Sequence, residues 1–311
     1  MTCTDTILLW GLPADPPIAT VRDALRRAGR RVTLLDQRAV HETEVSLVVG
    51  TSVEGLLRIG DQSFDLADVK AVYLRPHDWP ELPNSNGNGR QTDLRRHALA
   101  VQEVLLSWSE LTPALVLNRP SDMAANGSKP YQASWIESLG FRIPETLITT
   151  DPDIALEFWR RHDRVIYKSV SGIRSIVSRL TTKHRQRFDD IASCPTQFQQ
   201  YVPGTEHRVH VVGEEVFACA VLSEADDYRY ASEPVEMLPC DLPSEVAARC
   251  KKLAGAMNLL LAGLDLRCTP EGCWYCFEVN PSPAFTCFQQ VTGQPIAEAV
   301  ARLLASGHDA R

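Results

Sequence analysis

Apolar residues recur at two different periods along this chain, and the places where the period changes divide it. Short apolar runs at Ile7 to Trp10, Val32 to Leu35, Val45 to Val49, Leu56 to Ile59 and Val69 to Leu74 read as strands, whereas Ile18 to Ala28 reads as a helix stopped by Gly29. Strand, helix, strand predicts a parallel α/β opening. Pro76 to Gln91, which carries Asn84, Asn86, Gly87, Asn88 and Gly89, predicts a long surface loop. A helix over Leu94 to Leu111 and a short strand over Ala114 to Leu117 follow, and the first boundary falls at Asn118-Arg119-Pro120.

From Ser121 the chain reads as helical through Gly140, then as a helix from Pro152 to His162 and a strand, Val165 to Tyr167, that delivers Lys168. Phe198 to Val202 reads as the crossing into a third part. There Glu206 to Val212, Val216 to Leu222, Leu264 to Cys268 and Trp274 to Val279 alternate at period two, with helices over Leu242 to Leu259 and Pro295 to Leu304. The expected units are 1–117, 118–198 and 199–311.

At 311 residues the chain is long enough for two or three packed units. Its net charge of -7 repels a phosphate backbone, so nucleic acid is not the expected partner. The nine cysteines are an odd number without framework-like spacing, which predicts reduced thiols in a cytoplasmic compartment. The opening residues lack a basic region ahead of a long apolar stretch, and no run of 18 apolar residues occurs, so neither export nor a membrane partner is expected.

The most chemically pointed segment is a hairpin. Leu264 to Cys268 and Cys273 to Val279 flank Thr269-Pro270-Glu271-Gly272, which reads as a four-residue turn pairing 268 with 273. Leu266 then faces Tyr275, Leu264 faces Phe277, and these share an apolar face with Val279. The other face carries Asp265, Arg267, Cys276, Glu278 and, just beyond, Asn280. Two carboxylates and an amide oxygen within about 5–8 Å form an all-oxygen set suited to Mg²⁺. The same face also reads as a solvated hairpin with one Asp–Arg ion pair. Cys273 and Cys276 stand three apart on a strand, so their sulfurs diverge and do not form a thiolate metal site.

Lys129 precedes Pro130 at a helix start, where a cation is disfavoured by the dipole and calls for an anion. Lys168 closes a strand and is followed by Ser169-Val170-Ser171-Gly172, a small-residue turn whose N–H groups suit a phosphate. Either lysine alone also reads as a surface residue with its head in water. In Gln199-Gln200-Tyr201-Val202-Pro203-Gly204-Thr205-Glu206-His207-Arg208-Val209-His210, Glu206, Arg208 and His210 share one face. That face is either a polar outer surface or a carboxylate for sugar hydroxyls beside a cation for phosphate.

Taken in order, Asn118-Arg119-Pro120, the Lys129 segment with Gly140-Phe141-Arg142-Ile143-Pro144-Glu145-Thr146, Lys168, the Gln199 to Arg208 run, and Asp265 with Glu278-Val279-Asn280 resemble an ATP-grasp enzyme over nearly the whole chain. Within that superfamily the resemblance is to RimK-like carboxylate-amine ligases, and the segment ending at Ala71-Val72-Tyr73-Leu74-Arg75 also resembles ATP-grasp maturases of ribosomally made peptides. The resemblance implies an N-terminal α/β domain followed by two α+β lobes that clamp ATP. It implies Lys129 and Lys168 on the α- and β-phosphates, Ser171 and Gly172 over the triphosphate, and Gln199, Gln200, Tyr201 and Val202 around adenine. Glu206 would bind the ribose, Asp265, Glu278 and Asn280 would hold two Mg²⁺ ions with Mn²⁺ as a substitute, and Arg208 would face the γ-phosphate. Arg267 is added to the catalytic set, and His210 to the site, on geometry alone. The implied reaction is ATP-dependent activation of an amino-acid or peptide carboxylate as an acyl phosphate, then attack by an amine. A kinase acting on a small polyol, or a nucleotide-binding module without turnover, are the alternatives, and a homodimer stays open.

Overall fold

Every residue of β1 (Thr6–Gly11) is buried, which requires protein on both faces of the strand. The computed structural model describes residues 6–77, 89–170, 177–223 and 235–307 and meets that requirement with a parallel sheet covered on both sides. Helix α1 (Pro16–Arg27) leads to β2 (Val32–Asp36), after which β3 (Thr43–Val49), β4 (Val53–Ile59) and β5 (Gln62–Asp65) fold as a separate antiparallel sheet. Then β6 (Val69–Arg75), α2 (Gly89–Leu111) and β7 (Leu115–Leu117) complete the parallel sheet in the order β2-β1-β6-β7. Alternation along β1 sends Ile7 and Leu9 to Ile18, Val21 and Leu25 of α1, and Leu8 and Trp10 to Ala98, Val101 and Leu105 of α2. Gly29, at φ +69°, follows the end of α1 as read. Helix α2 starts at Gly89, earlier than the Leu94 start read from periodicity, because a first turn can hold loop-like residues before its apolar stripe begins. The rest of the expected loop, residues 78–88, lies outside the described residues.

Beyond β7 come α3 (Pro120–Met123), a 3-10 turn over Ala124–Gly127 and α4 (Lys129–Ser138). The single helix expected from Ser121 to Gly140 is thus broken at Ser128, whose φ of -135° and ψ of 95° are extended. Pro130 is the cause: its ring and missing N–H are tolerated in a first turn but not in a helix interior. β8 (Thr146–Thr149), α5 (Pro152–Arg161), β9 (Val165–Ser169), β10 (Ser178–Arg179) and β11 (Thr196–Gln200) make a second sheet, ordered β10-β9-β11-β8. Asp151 starts α5 by accepting the N–H groups of Asp153 at 2.8 Å and Ile154 at 3.2 Å. Ala155 and Phe158 of α5 pack on Val165 and Phe198. The boundary drawn at 198/199 falls inside β11, whose last residues Gln199 and Gln200 still pair within this sheet.

β12 (Thr205–Val212), β13 (Glu215–Leu222), β14 (Glu236–Cys240), α6 (Ser244–Ala256), β15 (Leu261–Cys268) and β16 (Trp274–Asn280) follow, with the strands ordered β14-β13-β12-β15-β16 in an antiparallel sheet. Val246, Cys250 and Leu253 of α6 cover Val209, Val211 and Leu264. After α7 (Thr286–Thr292), α8 (Ile296–Ser306) returns to the first sheet, where Ile296, Val300 and Leu304 join the cluster of β1 and α1. Each such aliphatic side chain contributes about 1.5–3 kcal/mol. The chain's last helix therefore fastens its third part to its first. No described helix is long and apolar enough to cross a membrane, and the eight described cysteines are free thiols.

Candidate functional site

The β15–β16 turn is tighter than expected. Thr269 N–H donates to Cys273 O at 2.9 Å and Gly272 adopts φ +79°, so three residues, Pro270-Glu271-Gly272, make the loop with glycine in the left-handed position. Cys268 consequently faces Trp274 rather than Cys273, Arg267 faces Tyr275 and Leu266 faces Cys276. An irregularity between Asp265 and Leu266, with Phe277 as the extra residue, then sets Asp265 opposite Glu278, Leu264 opposite Val279 and Gly263 opposite Asn280.

This register corrects two expectations. Tyr275 and Phe277 do not share the face of Leu264; they lie on the other side with Arg267, whose guanidinium is 5.3 Å from the Phe277 ring centre. Cys276 is not beside Asp265 on the open face but wholly buried in the core with Leu264, Leu266 and Val279. Burial first, then the nearby Cys250, Asp265 and Glu278, push its thiol pKa well above the ordinary value. Asp265, Glu278 and Asn280 share the open face, with the two carboxylates directly opposed.

Cations stand against those carboxylates. Arg208 pairs with Asp265 across β12–β15, its Nη1 donating to Asp265 Oδ1 at 2.5 Å, and Lys129 at the start of α4 brings Nζ to 3.5 Å from Glu278 Oε2. Asn280 Oδ1 accepts Ser282 N–H at 2.8 Å, one of the two lone pairs an amide oxygen offers. The donor set fits Mg²⁺: two carboxylates and an amide oxygen are hard donors that leave room for phosphate and water. Among the described residues no group of three or more His, Cys, Asp or Glu is arranged to hold a metal ion, so this mixed set is the metal candidate.

The crossing segment presents backbone groups of known engagement. Gln200 N–H donates to Glu145 O at 2.9 Å, Tyr201 N–H to Arg164 O at 3.0 Å, and Val202 O accepts Arg267 Nη1 at 2.9 Å. Arg267 Nη2 also donates to Glu206 Oε2 at 3.1 Å, so its fork fixes the crossing chain to Glu206. Gln199, 6% exposed, donates through its side-chain amide to Thr146 Oγ1 at 2.9 Å, while its side-chain Oε1 is buried without a hydrogen-bond partner. Lys168 stands on β9 opposite Gln197. Ser171 and Gly172 lie outside the described residues. His210 is 1% exposed between Phe285 and Phe288, and burial first and Arg208 second hold its pKa well below the usual imidazole value.

Four supporting residues escape the sequence reading of the site. Asn118, known there only as part of a motif, binds Leu260, Leu261 and Pro281 through backbone groups. Arg75 ends β6, donates through Nε to Asp15 Oδ2 at 2.6 Å and through Nη1 to Ser282 Oγ at 2.9 Å, and so ties the first sheet to the loop after Asn280. Gln132 bonds both backbone groups of Val279, and Gly263 leaves the space in which Arg208 lies. Asn118-Arg119-Pro120 and the segment ending at Arg75 carry a partial signal through the resemblance; Gln132 and Gly263 carry none that spacing reveals.

No family model matches the chain, and no curated protein matches it. Solved structures do. Macrocyclase MdnC bound with precursor peptide MdnA from Microcystis aeruginosa MRC is 24% identical, with a TM-score of 0.81 over 97% of this chain and 99% of that one. A Chryseobacterium gregarium RiPP-associated ATP-grasp ligase, in complex with ADP and a leader and core peptide, is 22% identical with a TM-score of 0.80 over 98% of both chains. ATP-grasp ligase PsnB, complexed with a minimal precursor, Mg and ADP, is 26% identical with a TM-score of 0.79 over 97% of this chain and 96% of that one. The chain therefore has the ATP-grasp fold, and it resembles the macrocyclases and peptide-associated ligases built on that fold.

Proposed function

We propose that this protein is an ATP-dependent ligase that activates a carboxylate of a peptide substrate as an acyl phosphate and joins it to an amine, releasing ADP and phosphate. The observation that carries the reading is the direct opposition of Asp265 and Glu278, with Asn280 on their face and Arg208 and Lys129 against them. The precursor peptides, ADP and Mg held by the structural neighbours support a peptide, ATP and Mg²⁺ as its ligands.

Asp265, Glu278 and Asn280 would hold two Mg²⁺ ions, with Mn²⁺ as a substitute, and the metal would neutralise charge on the phosphate oxygens. Lys129 and Lys168 would grip the α- and β-phosphates, with Ser171 and Gly172 over them. As the resemblance implies, Gln200 and Val202 would meet the donor–acceptor edge of adenine through backbone groups, with Gln199 and Tyr201 beside it. Glu206, oriented by Arg267, would take the ribose hydroxyls. Arg208 would face the γ-phosphate and the acyl phosphate formed from it, so catalysis is positioning plus electrostatics.

The test is an assay with ATP, Mg²⁺ and a peptide bearing acidic and lysine side chains. ADP and free phosphate should appear with a product lighter by one water, and Asp265→Ala or Glu278→Ala should slow release by about 100-fold or more. A phosphorylated peptide without free phosphate would replace ligation by kinase chemistry. Undiminished turnover in both variants would remove the hairpin from the mechanism.

A further inference from the structure

Helix α4 has ten residues, of which only Gln132 and Ile136 are buried. Apolar packing is non-directional, so one buried isoleucine does not set where the helix sits along the strand beneath it. The carboxamide of Gln132 does. It is 2% exposed, donates through Nε2 to Val279 O at 2.7 Å and accepts Val279 N–H through Oε1 at 2.9 Å. Both bonds go to one residue on the outer edge of β16, so the side chain extends the ladder at a point where no described strand pairs with Val279 on that side. Val279 lies between Glu278 and Asn280. Three residues before Gln132, on the same side of the helix, is Lys129, whose Nζ is 3.5 Å from Glu278 Oε2.

We propose that Gln132 is a positioning residue that holds Lys129 in register with Glu278 and Asn280, so that nucleotide phosphate and divalent cation bind as one coupled event. This rests on the functional reading above. A shift of α4 by one strand residue would separate the ammonium group from the carboxylate while leaving each group able to bind its own ligand. Coupling is therefore the property at stake, and it is reciprocal between the two ligands.

Calorimetric titration of the full chain with ADP, with and without Mg²⁺, measures that coupling. In Gln132→Met, which keeps side-chain length and loses both hydrogen bonds, the Mg²⁺ enhancement of ADP affinity should fall about tenfold, with metal-free ADP affinity within about twofold of wild type. Ile136→Val on the same helix should lower stability and leave the enhancement unchanged. Should Gln132→Met not fold, Gln132→Glu, which keeps the acceptor for Val279 N–H and loses the donor, should show the same selective loss. Wild-type enhancement in the folded variant, or an equal loss of metal-free affinity, overturns the proposal alone. No Mg²⁺ effect in the wild-type protein overturns the functional reading and the proposal with it.

Discussion

The guanidinium of Arg208 lies against Gly263, close enough that a Cβ at Gly263 would meet Arg208 Nη2 at 2.2 Å. The same Cβ would meet Pro283 Cβ at 2.7 Å, so the added methyl could not move away from the arginine on that side. Gly263 is thus the floor on which Arg208 reaches Asp265, and the Phe288 ring, 5.9 Å from the guanidinium carbon, contributes a further contact.

Gly263→Ala should therefore act through Arg208. Overpacking of this kind costs about 1–3 kcal/mol of stability. Displacing a cation aimed at developing charge should slow ADP release by about 100-fold. Turnover measured on protein shown to be folded by circular dichroism checks this, and near-normal rates would mean that Arg208 is not poised for the phosphoryl group.

Strand position alone puts Arg267 in the catalytic set, and its contacts argue for a different role. Both its terminal nitrogens are turned to the crossing chain and Glu206. Arg267→Lys keeps the charge and loses the fork. The KM for ATP should rise about tenfold with kcat little changed, since only ground-state binding is loosened. A collapse of kcat at constant KM would return Arg267 to the reacting atoms.

Period-two alternation makes the face of Asp265 and Glu278 legible, because Leu264 and Val279 must point the other way. It does not make the register legible. Pro270-Glu271-Gly272 reads equally well inside a four-residue turn, and only the left-handed Gly272 shortens the loop and moves each pairing. The bulge at Phe277 then brings Glu278 opposite Asp265, which no local pattern announces. The supports are hidden for a related reason: Gln132 and Arg75 act on residues far along the chain, and a single polar letter on a helix or at a strand end does not name its partner. Strands with a pronounced apolar run, such as β1, β6, β12 and β15, are local in origin and are read; β5, β8, β10 and β14 are short, carry no such run and are not. The single helix expected after Ser121 fails where Pro130 outweighs helical periodicity.

His210 contributes a pH dependence whose sign follows from its burial. Its folded-state pKa lies well below 6.5, lowered by burial and by Arg208. Below about pH 6.5 the unfolded chain takes up a proton that the folded one refuses, so stability falls with pH until the folded pKa is reached and is level below it. Urea unfolding of wild type and His210→Leu at pH 7.5 and pH 5.0 should differ in their pH-induced change by up to about 2 kcal/mol, wild type losing more. Equal losses would show that His210 is protonated in the folded protein.

Asn118 is the support whose removal should cost most. Its Oδ1 accepts Leu260 N–H at 2.9 Å and Leu261 N–H at 3.2 Å, and its Nδ2 donates to Leu261 O at 2.7 Å and Pro281 O at 2.6 Å. At 2% exposure no water replaces these bonds, and the amide's full capacity of two donors and two lone pairs is spent. Asn118→Leu keeps the volume and leaves four backbone groups unpaired. At about 1–3 kcal/mol for each, and less than additive, the loss should be roughly 4–6 kcal/mol, a large share of the stability of a typical domain. Because Pro281 follows Asn280 directly, protein that remains folded should also need more Mg²⁺ for half-maximal turnover. Chemical unfolding and a Mg²⁺ titration of activity read the two effects separately. A variant with wild-type stability would mean that water or a shifted backbone satisfies those four groups, and the strand carrying Asn280 would then owe its position to its pairing with β15 and to Gln132 and Arg75.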